Sequence, residues 1–398
     1  MIRKILPMFL IVCLSMFVVT GCKKAAPEPD ADPAGSGLIG EAVPEEKPEP
    51  LTIGIREINK HGNLMLDTTF EEMNAGGIEV GDMISVFVGE NEYVMPVGTS
   101  YTDVDSGEMI CRFDLEDDEV TLSINYGSFA GETGAAEKQT IEEEPGYQWD
   151  QKVSEVRISL KEKAGYLDEY KARNLTRSDA RGDYPGLTDE EFANFRPVSA
   201  EGIRENTFYR SSTPIEPAIG RNEYAMAAME KAGIRAVINL DDTPETMQSY
   251  DTFPGSYYSR CEIANIQMSY DFVSTEFGEK IRESILFINR SEGPYLIHCK
   301  EGKDRTGILC AVLECFAGSP PEDVWRDYMT TYENYYGVRQ SDAAYDIILE
   351  NNLQKTLCGL FGIGDPEQAD LREEARKYLL STGLTEEDLA ALSEKLCD

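Results

Sequence analysis

The sequence predicts an α/β domain, with a central, mostly parallel sheet flanked by helices, preceded by a small all-β domain. Three observations predict it. Over residues 51–160, short apolar runs recur between Gly, Asn and Asp breaks, the spacing of a small barrel or sandwich. From about residue 175 to 398, apolar strand-length runs alternate with helix-period segments, the pattern of α/β units. Between these strands and helices, one tight polar loop at 299–307 concentrates the reactive side chains.

In chain order, Met1-Ile2-Arg3-Lys4 is a basic start, Ile5 to Val19 an apolar core, and Val19-Thr20-Gly21-Cys22 its end. The arrangement resembles a bacterial lipoprotein signal over residues 1–22. The resemblance implies Cys22 as the lipidated first residue of the mature chain. The apolar run is shorter than the roughly 20 residues a membrane span needs; a plain secretory signal or an uncleaved anchor are the alternatives. In each case the mature protein is expected outside the cytoplasm, and for a lipoprotein, attached to the membrane through its N-terminal lipid. Residues 23–50 hold Ala, Pro, Glu, Asp and Gly with almost nothing to bury, an acidic flexible tether.

Composition narrows the function classes. The chain carries 73 acidic against 37 basic residues, a net charge of -36, which argues against nucleic acid as a partner because phosphate backbones are held by basic surfaces. His61 and His298 are the only histidines and no Cys-x2-Cys occurs, so no metal site is expected, nor any cofactor. Once Cys13 is removed and Cys22 lipidated, the remaining cysteines are odd in number and show no tight paired spacing, which does not read as a disulfide framework.

The all-β domain is expected from runs at 51–55, 63–66, 83–88, 93–97, 109–113 and 120–124, closed by a last strand near Val153 to Leu160. Its His61-Gly62-Asn63 and Tyr126-Gly127-Ser128-Phe129-Ala130 are similar to the β-rich C-terminal domain of the S-adenosylmethionine hydroxide adenosyltransferases. No catalytic domain of that family precedes them, so a spacer or recognition role is expected. Lys161 to Arg173 reads as a connecting helix and Asn174 to Pro185 as a loop.

In the second domain, Thr188-Asp189-Glu190-Glu191 has capping-box spacing. Asn222 to Ala232 is an amphipathic helix stopped by Gly233, and Ala236 to Leu240 a buried strand. Asp241-Asp242-Thr243-Pro244-Glu245 follows at that strand's carboxyl end, where open α/β sheets bind ligands; its carboxylates either orient Arg305 or form a solvated turn with a helix cap. Cys261 to Met268 reads as a strand, 269–273 as a loop and Glu276 to Arg290 as a helix. After the strand Tyr295 to His298 and the polar loop, a helix is expected from Ile308. Gly318 ends it, and Ser319-Pro320-Pro321-Glu322 starts the next.

The loop Cys299-Lys300-Glu301-Gly302-Lys303-Asp304-Arg305-Thr306-Gly307 is suited to a phosphate. Backbone amides of a tight turn ending at a helix N-terminus form a concave donor array, on which the positive end of the helix dipole is focused. The same field is expected to pull the Cys299 thiol below the roughly 8.5 of a free cysteine, making a nucleophile. Arg305 supplies a planar fork for two phosphate oxygens, and Thr306 is placed to donate its hydroxyl proton to the thiolate. Gly302 and Gly307 stand where the backbone turns. Lys300 and Lys303 add positive charge, which would favour substrates carrying more than one phosphate.

His-Cys-x-x-Gly-Lys-Asp-Arg-Thr-Gly resembles the phosphate loop of the cysteine-dependent protein tyrosine phosphatase superfamily, in particular the bacterial branch acting on phosphotyrosine and phosphoinositides. Asn194-Phe195-Arg196 and Phe208-Tyr209-Arg210-Ser211-Ser212 resemble that branch's N-terminal signature, although the Asp-x-Gly-Gly that usually follows is missing. The resemblance implies a phosphomonoester hydrolase working through a phosphocysteine intermediate, with phosphotyrosine proteins and/or phosphoinositides as substrates. An inositol polyphosphate (phytate-type) phosphatase and a non-catalytic phosphate-binding surface module are the alternatives. It further implies Cys299 and Arg305 as catalytic residues and Lys300, Glu301, Gly302, Lys303, Asp304, Arg305 and Thr306 as the phosphate site. The leaving oxygen needs a proton. Asp304 has that place in the branch; Asp271, on a separate loop, would reach an outward-pointing leaving group and is slightly favoured on geometry.

Overall fold

The computed structural model of the chain describes residues 50–141 and 146–397. The signal-like segment with Cys22 and the tether up to residue 49 lie outside them. Among the described residues no helix is long and apolar enough to cross a membrane.

The first half folds as expected into short strands. These are β1 (Leu51–Ile58), β2 (Leu64–Leu66), β3 (Met83–Val88), β4 (Asn91–Gly98), β5 (Met109–Asp114), β6 (Glu119–Ile124), β7 (Ala136–Ile141), β8 (Gly146–Gln151) and β9 (Glu155–Glu162). Seven of them close a barrel in the order β1-β2-β6-β5-β4-β3-β9, and β9 pairs antiparallel with both β1 and β3 to seal it. Closure removes the exposed strand edges that would otherwise template aggregation. The interior is filled by residues alternating along the strands, Ile84, Val86 and Val88 from β3 and Val120, Leu122 and Ile124 from β6.

Three features depart from the sequence pattern. The hairpin β7–β8 was not expected, because its strands Ala-Glu-Lys-Gln-Thr-Ile and Gly-Tyr-Gln-Trp-Asp-Gln carry few apolar residues to alternate. Two short helices, α1 (Phe70–Ala75) and α2 (Phe129–Thr133), are too brief for a 3.6-residue period to register. The connecting helix α3 is shorter than expected, Leu167–Arg173, since β9 continues to Glu162 and Ala164 then takes a left-handed φ of 54°. The segments His61–Asn63 and Tyr126–Ser128 face each other on the barrel and line a cavity of about 680 Å³.

The second half contains α4 (Asp189–Phe192), β10 (Arg196–Pro197), β11 (Phe208–Ser211), α5 (Asn222–Ala232), β12 (Ala236–Asn239), α6 (Pro244–Ser249), β13 (Glu262–Asn265), α7 (Thr275–Arg290) and β14 (Tyr295–His298). The remaining helices are α8 (Asp304–Ala317), α9 (Pro321–Tyr336), α10 (Ala343–Ile348), α11 (Lys355–Phe361), α12 (Leu371–Ser381) and α13 (Glu386–Leu396). The five-stranded sheet runs β10-β11-β14-β12-β13. All neighbours are parallel except β10, which is antiparallel to β11.

Period-two alternation assigns the two faces of this sheet. Phe208, Ala236, Ile238, Tyr295 and Ile297 enter the core shared with α7, α8, α9, α12 and α13. Tyr209, Val237 and Leu296 point the other way, toward α5 and α6. β14 is central, so the loop at its carboxyl end opens between β11 and β12.

Helix α8 starts at Asp304, four residues earlier than the apolar run suggested. Polar Asp304, Arg305 and Thr306 hid its first turn. Ser319 does not cap α9; its hydroxyl donates to the Glu201 carbonyl, and Pro320 stands at the cap. The described residues form one compact unit. α3 ties its two halves: Tyr166 donates to the Asp103 carbonyl at 2.6 Å, and Asn351, in the π-helical stretch after α10, donates to Glu169 at 2.8 Å.

Candidate active site

The loop after β14 is held by its carbonyls. Thr213 N–H donates to Lys300 O at 3.0 Å. Tyr335 and Asn194 donate to Glu301 O at 2.8 and 3.2 Å. Arg210 and Asn194 donate to Gly302 O at 2.8 and 3.3 Å. Three successive carbonyls are thus drawn outward into the scaffold. In a trans peptide the N–H points opposite to the C=O it shares a plane with. The amides of Glu301, Gly302 and Lys303 therefore face the concave side, and among the described residues none of them donates to another protein group. This is an anion cradle made by sequence-distant donors.

Gly302 is required there. Its φ is +67°, and a Cβ would lie 2.1 Å from the Ser211 carbonyl oxygen. Gly307 serves close packing, since a Cβ would meet the Tyr328 ring at 2.7 Å.

The scaffold under the cradle is ionic and buried. Asp327 on α9 accepts from Arg196 Nε at 2.9 Å and from Arg210 Nη1. Burial pushes the Asp327 carboxyl up, but the two guanidinium charges outweigh it and hold the group below the usual carboxylate range. Asn194, at a left-handed φ of 54°, contributes its side chain to both the loop and Arg196. The two signature segments around Asn194 and Arg210 thus act as struts of the loop. Sequence reading had marked both segments without a mechanical role.

Cys299, the first residue of this loop, is buried, 3% exposed. Before it, His298 is fully buried, and burial lowers its pKa, so the ring is neutral. Nδ1 faces the Cys299 carbonyl at 3.2 Å, which only accepts. Nδ1 therefore carries the proton, and Nε2 accepts from the Tyr258 hydroxyl at 2.8 Å. The ring braces the first residue of the loop. All seven described cysteines, Cys111, Cys261, Cys299, Cys310, Cys315, Cys358 and Cys397, are free thiols.

Arg305 closes the site from the first turn of α8. Its Nη1 pairs with Asp241 at 2.8 Å and donates to the Leu240 and Met268 carbonyls at 3.3 and 3.4 Å. Its Nη2 donates to the Tyr270 hydroxyl at 2.9 Å. Burial would lower its pKa, yet the charges of Cys299 and Asp241 raise it. The Asp241 turn takes a part of each reading: Asp241 pairs with Arg305 and Thr243 caps α6, but Asp242 is buried and accepts from Asn239 and Tyr250 rather than being solvated.

Other expected members sit differently. Thr306 is fully buried, and its Oγ1 makes no hydrogen bond, so the donation to the Cys299 sulfur is not formed. Lys300 pairs with Glu216 at 2.8 Å. Lys303 turns to Glu301 at 3.3 Å and lies against the rings of Tyr332 and Tyr336. Glu301 is also held by Arg177. The strongly positive pocket expected from the two lysines is thus balanced by Glu216 from elsewhere in the chain and by Glu301 within the loop itself. Lys303 also borders a cavity of about 320 Å³, to which Thr102 and Arg173 contribute from the barrel side.

The two acid candidates differ in setting. Asp304, with its side chain 34% exposed, lies 3.8 Å from Lys303, and burial raises its carboxyl pKa against the pull of Lys303. Asp271 is exposed on the loop before α7, and its carboxylate has no hydrogen bond or ion pair among the described residues. Tyr270, between that loop and Arg305, was missed by sequence reading. An aromatic beside a candidate acid was the signal available.

Residues 190–398 match the profile described as the tyrosine phosphatase family, a span of more than half the chain that contains the cradle, its struts and Arg305. The chain belongs to the tyrosine phosphatase family. It is a cysteine-dependent phosphatase by that membership, as the loop motif implied. No curated protein is similar enough to match.

Among solved structures, the family member is similar to an uncharacterized conserved protein from Thermotoga maritima, with 18% identity over 31% of this chain and 41% of that one, TM-score 0.23. It spans less than half the length of that protein. It is also similar to the core catalytic domain of the PP-IP phosphatase SIW14 from S. cerevisiae, with 20% identity over 40% of this chain and 85% of that one, TM-score 0.26. TpbA from P. aeruginosa, in complex with phosphotyrosine, shares 12% identity over 52% of this chain and 100% of that one, TM-score 0.29.

Proposed function

We propose that this protein hydrolyses phosphomonoesters through a phosphocysteine intermediate, with phosphotyrosine proteins and/or phosphoinositides as substrates. The observation that carries the reading is the outward tethering of the Lys300, Glu301 and Gly302 carbonyls, which leaves inward amides beside Cys299 and Arg305. The Cys299 thiolate attacks phosphorus as the ester P–O bond breaks, and the leaving oxygen takes a proton from a carboxylic acid. Water, deprotonated by that same carboxylate, then attacks phosphorus and the S–P bond breaks, returning the thiolate and releasing phosphate. The amides and Arg305 bind the equatorial oxygens most tightly in the trigonal-bipyramidal transition state.

Asp304 supports the acid role better than Asp271 in one respect: burial keeps its carboxyl protonated to higher pH. Asp271 would have to arrive by movement of its loop. The pairing of Lys300 and Lys303 with Glu216 and Glu301 weakens the case for inositol polyphosphates. Exposed Tyr270, on Arg305, favours a substrate with an apolar group next to its phosphate. We also propose that Cys22 carries a lipid that holds the enzyme outside the cytoplasm, that residues 175–398 are the catalytic domain, and that the barrel orients it.

The test is phosphate release from phosphotyrosine peptides, phosphoinositides and inositol phosphates by the wild type and Cys299→Ser. Turnover of the first two classes by the wild type alone, with an acid-stable phosphoprotein trapped by rapid quench, is expected. No turnover of any class overturns the reading. Loss of partition into detergent on Cys22→Ser is the expected sign of the lipid.

A further inference from the structure

Arg305 is the group a phosphate needs, and in this structure one of its two terminal nitrogens is already engaged from outside. Nη2 donates to the Tyr270 hydroxyl at 2.9 Å, and the guanidinium carbon lies 4.5 Å from the centre of the Tyr270 ring. Arg305 is 6% exposed and Tyr270 62% exposed. The ring therefore lies over the outer side of a buried cation, between it and solvent. Nη1 is committed inward to Asp241 and two carbonyls. A phosphate taking the fork left by Nη1 finds Nε buried without a partner among the described residues and Nη2 with the phenol on it.

Little else holds Tyr270. Its other ring contact is the edge of Phe272, with centroids 6.3 Å apart. In the loop before it Gln267 takes a left-handed φ of 52°, and the Ser269 hydroxyl is buried with no partner among the described residues. Burial pushes the Tyr270 phenol up, aided by the negative charges of Cys299, Asp304 and Asp241 and opposed by Arg305.

We infer that Tyr270 is a displaceable cap on Arg305, whose phenol occupies Nη2 and must be exchanged for a phosphate oxygen when substrate enters. This deepens the proposed function and rests on it. The exchange discriminates between ligands: a dianionic phosphate replaces a neutral acceptor with a charged one and gains by it, whereas a weakly charged group does not. Asp271 is the next residue, so release of the cap moves the loop that carries a candidate acid.

The test uses Cys299→Ser as the background and inorganic phosphate as the probe, with affinity read by calorimetry. Tyr270→Phe keeps the ring on the guanidinium and removes the competing hydroxyl, so phosphate binding should tighten by roughly three- to tenfold. Tyr270→Ala, which clears the ring as well, should tighten it at least as much. Unchanged affinity in both variants overturns the cap, and weaker binding in either overturns it by making Tyr270 a phosphate ligand. If the Cys299→Ser protein binds no phosphate and the wild type hydrolyses no ester, the proposed function itself has failed and the cap fails with it.

Discussion

Replacing Asp327 by Asn is expected to damage the protein in a way that depends on a second, neighbouring carboxyl. Asp327 is the shared counter-ion of Arg196 and Arg210, and Arg210 is fully buried. Removing one partner of a buried ion pair costs about 3–5 kcal/mol, because a charge is left uncompensated. Here two guanidinium groups are left, with Gly302 O, Lys303 O and Thr331 Oγ1 as the remaining acceptors for Arg210 among the described residues. A loss of about that size, from a total of about 5–15 kcal/mol, leaves a folded but fragile protein.

Glu314 then matters. Both its oxygens are buried without hydrogen bonds, and burial and the charge of Asp327 raise its pKa well above the usual carboxylate range, against Arg210 and Arg196. In Asp327→Asn that repulsion is gone and the two cations favour Glu314 ionising in its place. The loss should therefore be smaller at pH 8 than at pH 5. The double variant Asp327→Asn, Glu314→Met should be less stable at pH 8 than the sum of the singles, by about 1 kcal/mol or more. Urea unfolding followed by circular dichroism at both pH values measures this, provided the slope m stays constant. A loss under about 1 kcal/mol for Asp327→Asn, or strict additivity with Glu314→Met, would refute the argument.

Glu314→Met by itself should stabilise the protein increasingly above the pKa of an unfolded Glu, about 4.3. A folded pKa raised above that value means unfolding releases a proton, so the wild type loses stability as pH rises and the variant lacks that slope; equal slopes in urea titrations would count against it. For Asp304→Asn, kcat on an aryl phosphate should fall by roughly 10²–10⁴ and its decline at alkaline pH should vanish. Since burial raises the Asp304 pKa, its ionisation costs stability above an unfolded value of about 3.9, and the Asn variant should also melt higher at pH 7. If Asp271→Asn shows the kinetic loss and Asp304→Asn does not, the acid is Asp271.

The sequence by itself determined what is local. A strand ending at His298, a cysteine, two glycines and an arginine at fixed spacing announce an anion-binding turn because turns and helix starts are set by neighbouring residues. The capping box at Thr188 and the helix Asn222–Ala232 were legible for the same reason. The seven barrel strands were visible because their apolar alternation is a period within one segment, whereas the polar hairpin β7–β8 offered no period to see.

Tertiary structure alone decided the electrostatics. Lys300 looks from sequence like a free cation of the cradle, yet Glu216, 84 positions away, holds it, and two tyrosines from α9 lie against Lys303. Arg210 meets Asp327 across 117 positions of chain, and Arg177 meets Glu301 across 124. Tyr270 comes to Arg305 only because β12, β13 and β14 lie side by side with their carboxyl ends together. Charge partners are chosen by proximity in space, and a one-dimensional pattern carries no record of which distant segments the sheet brings to the same edge.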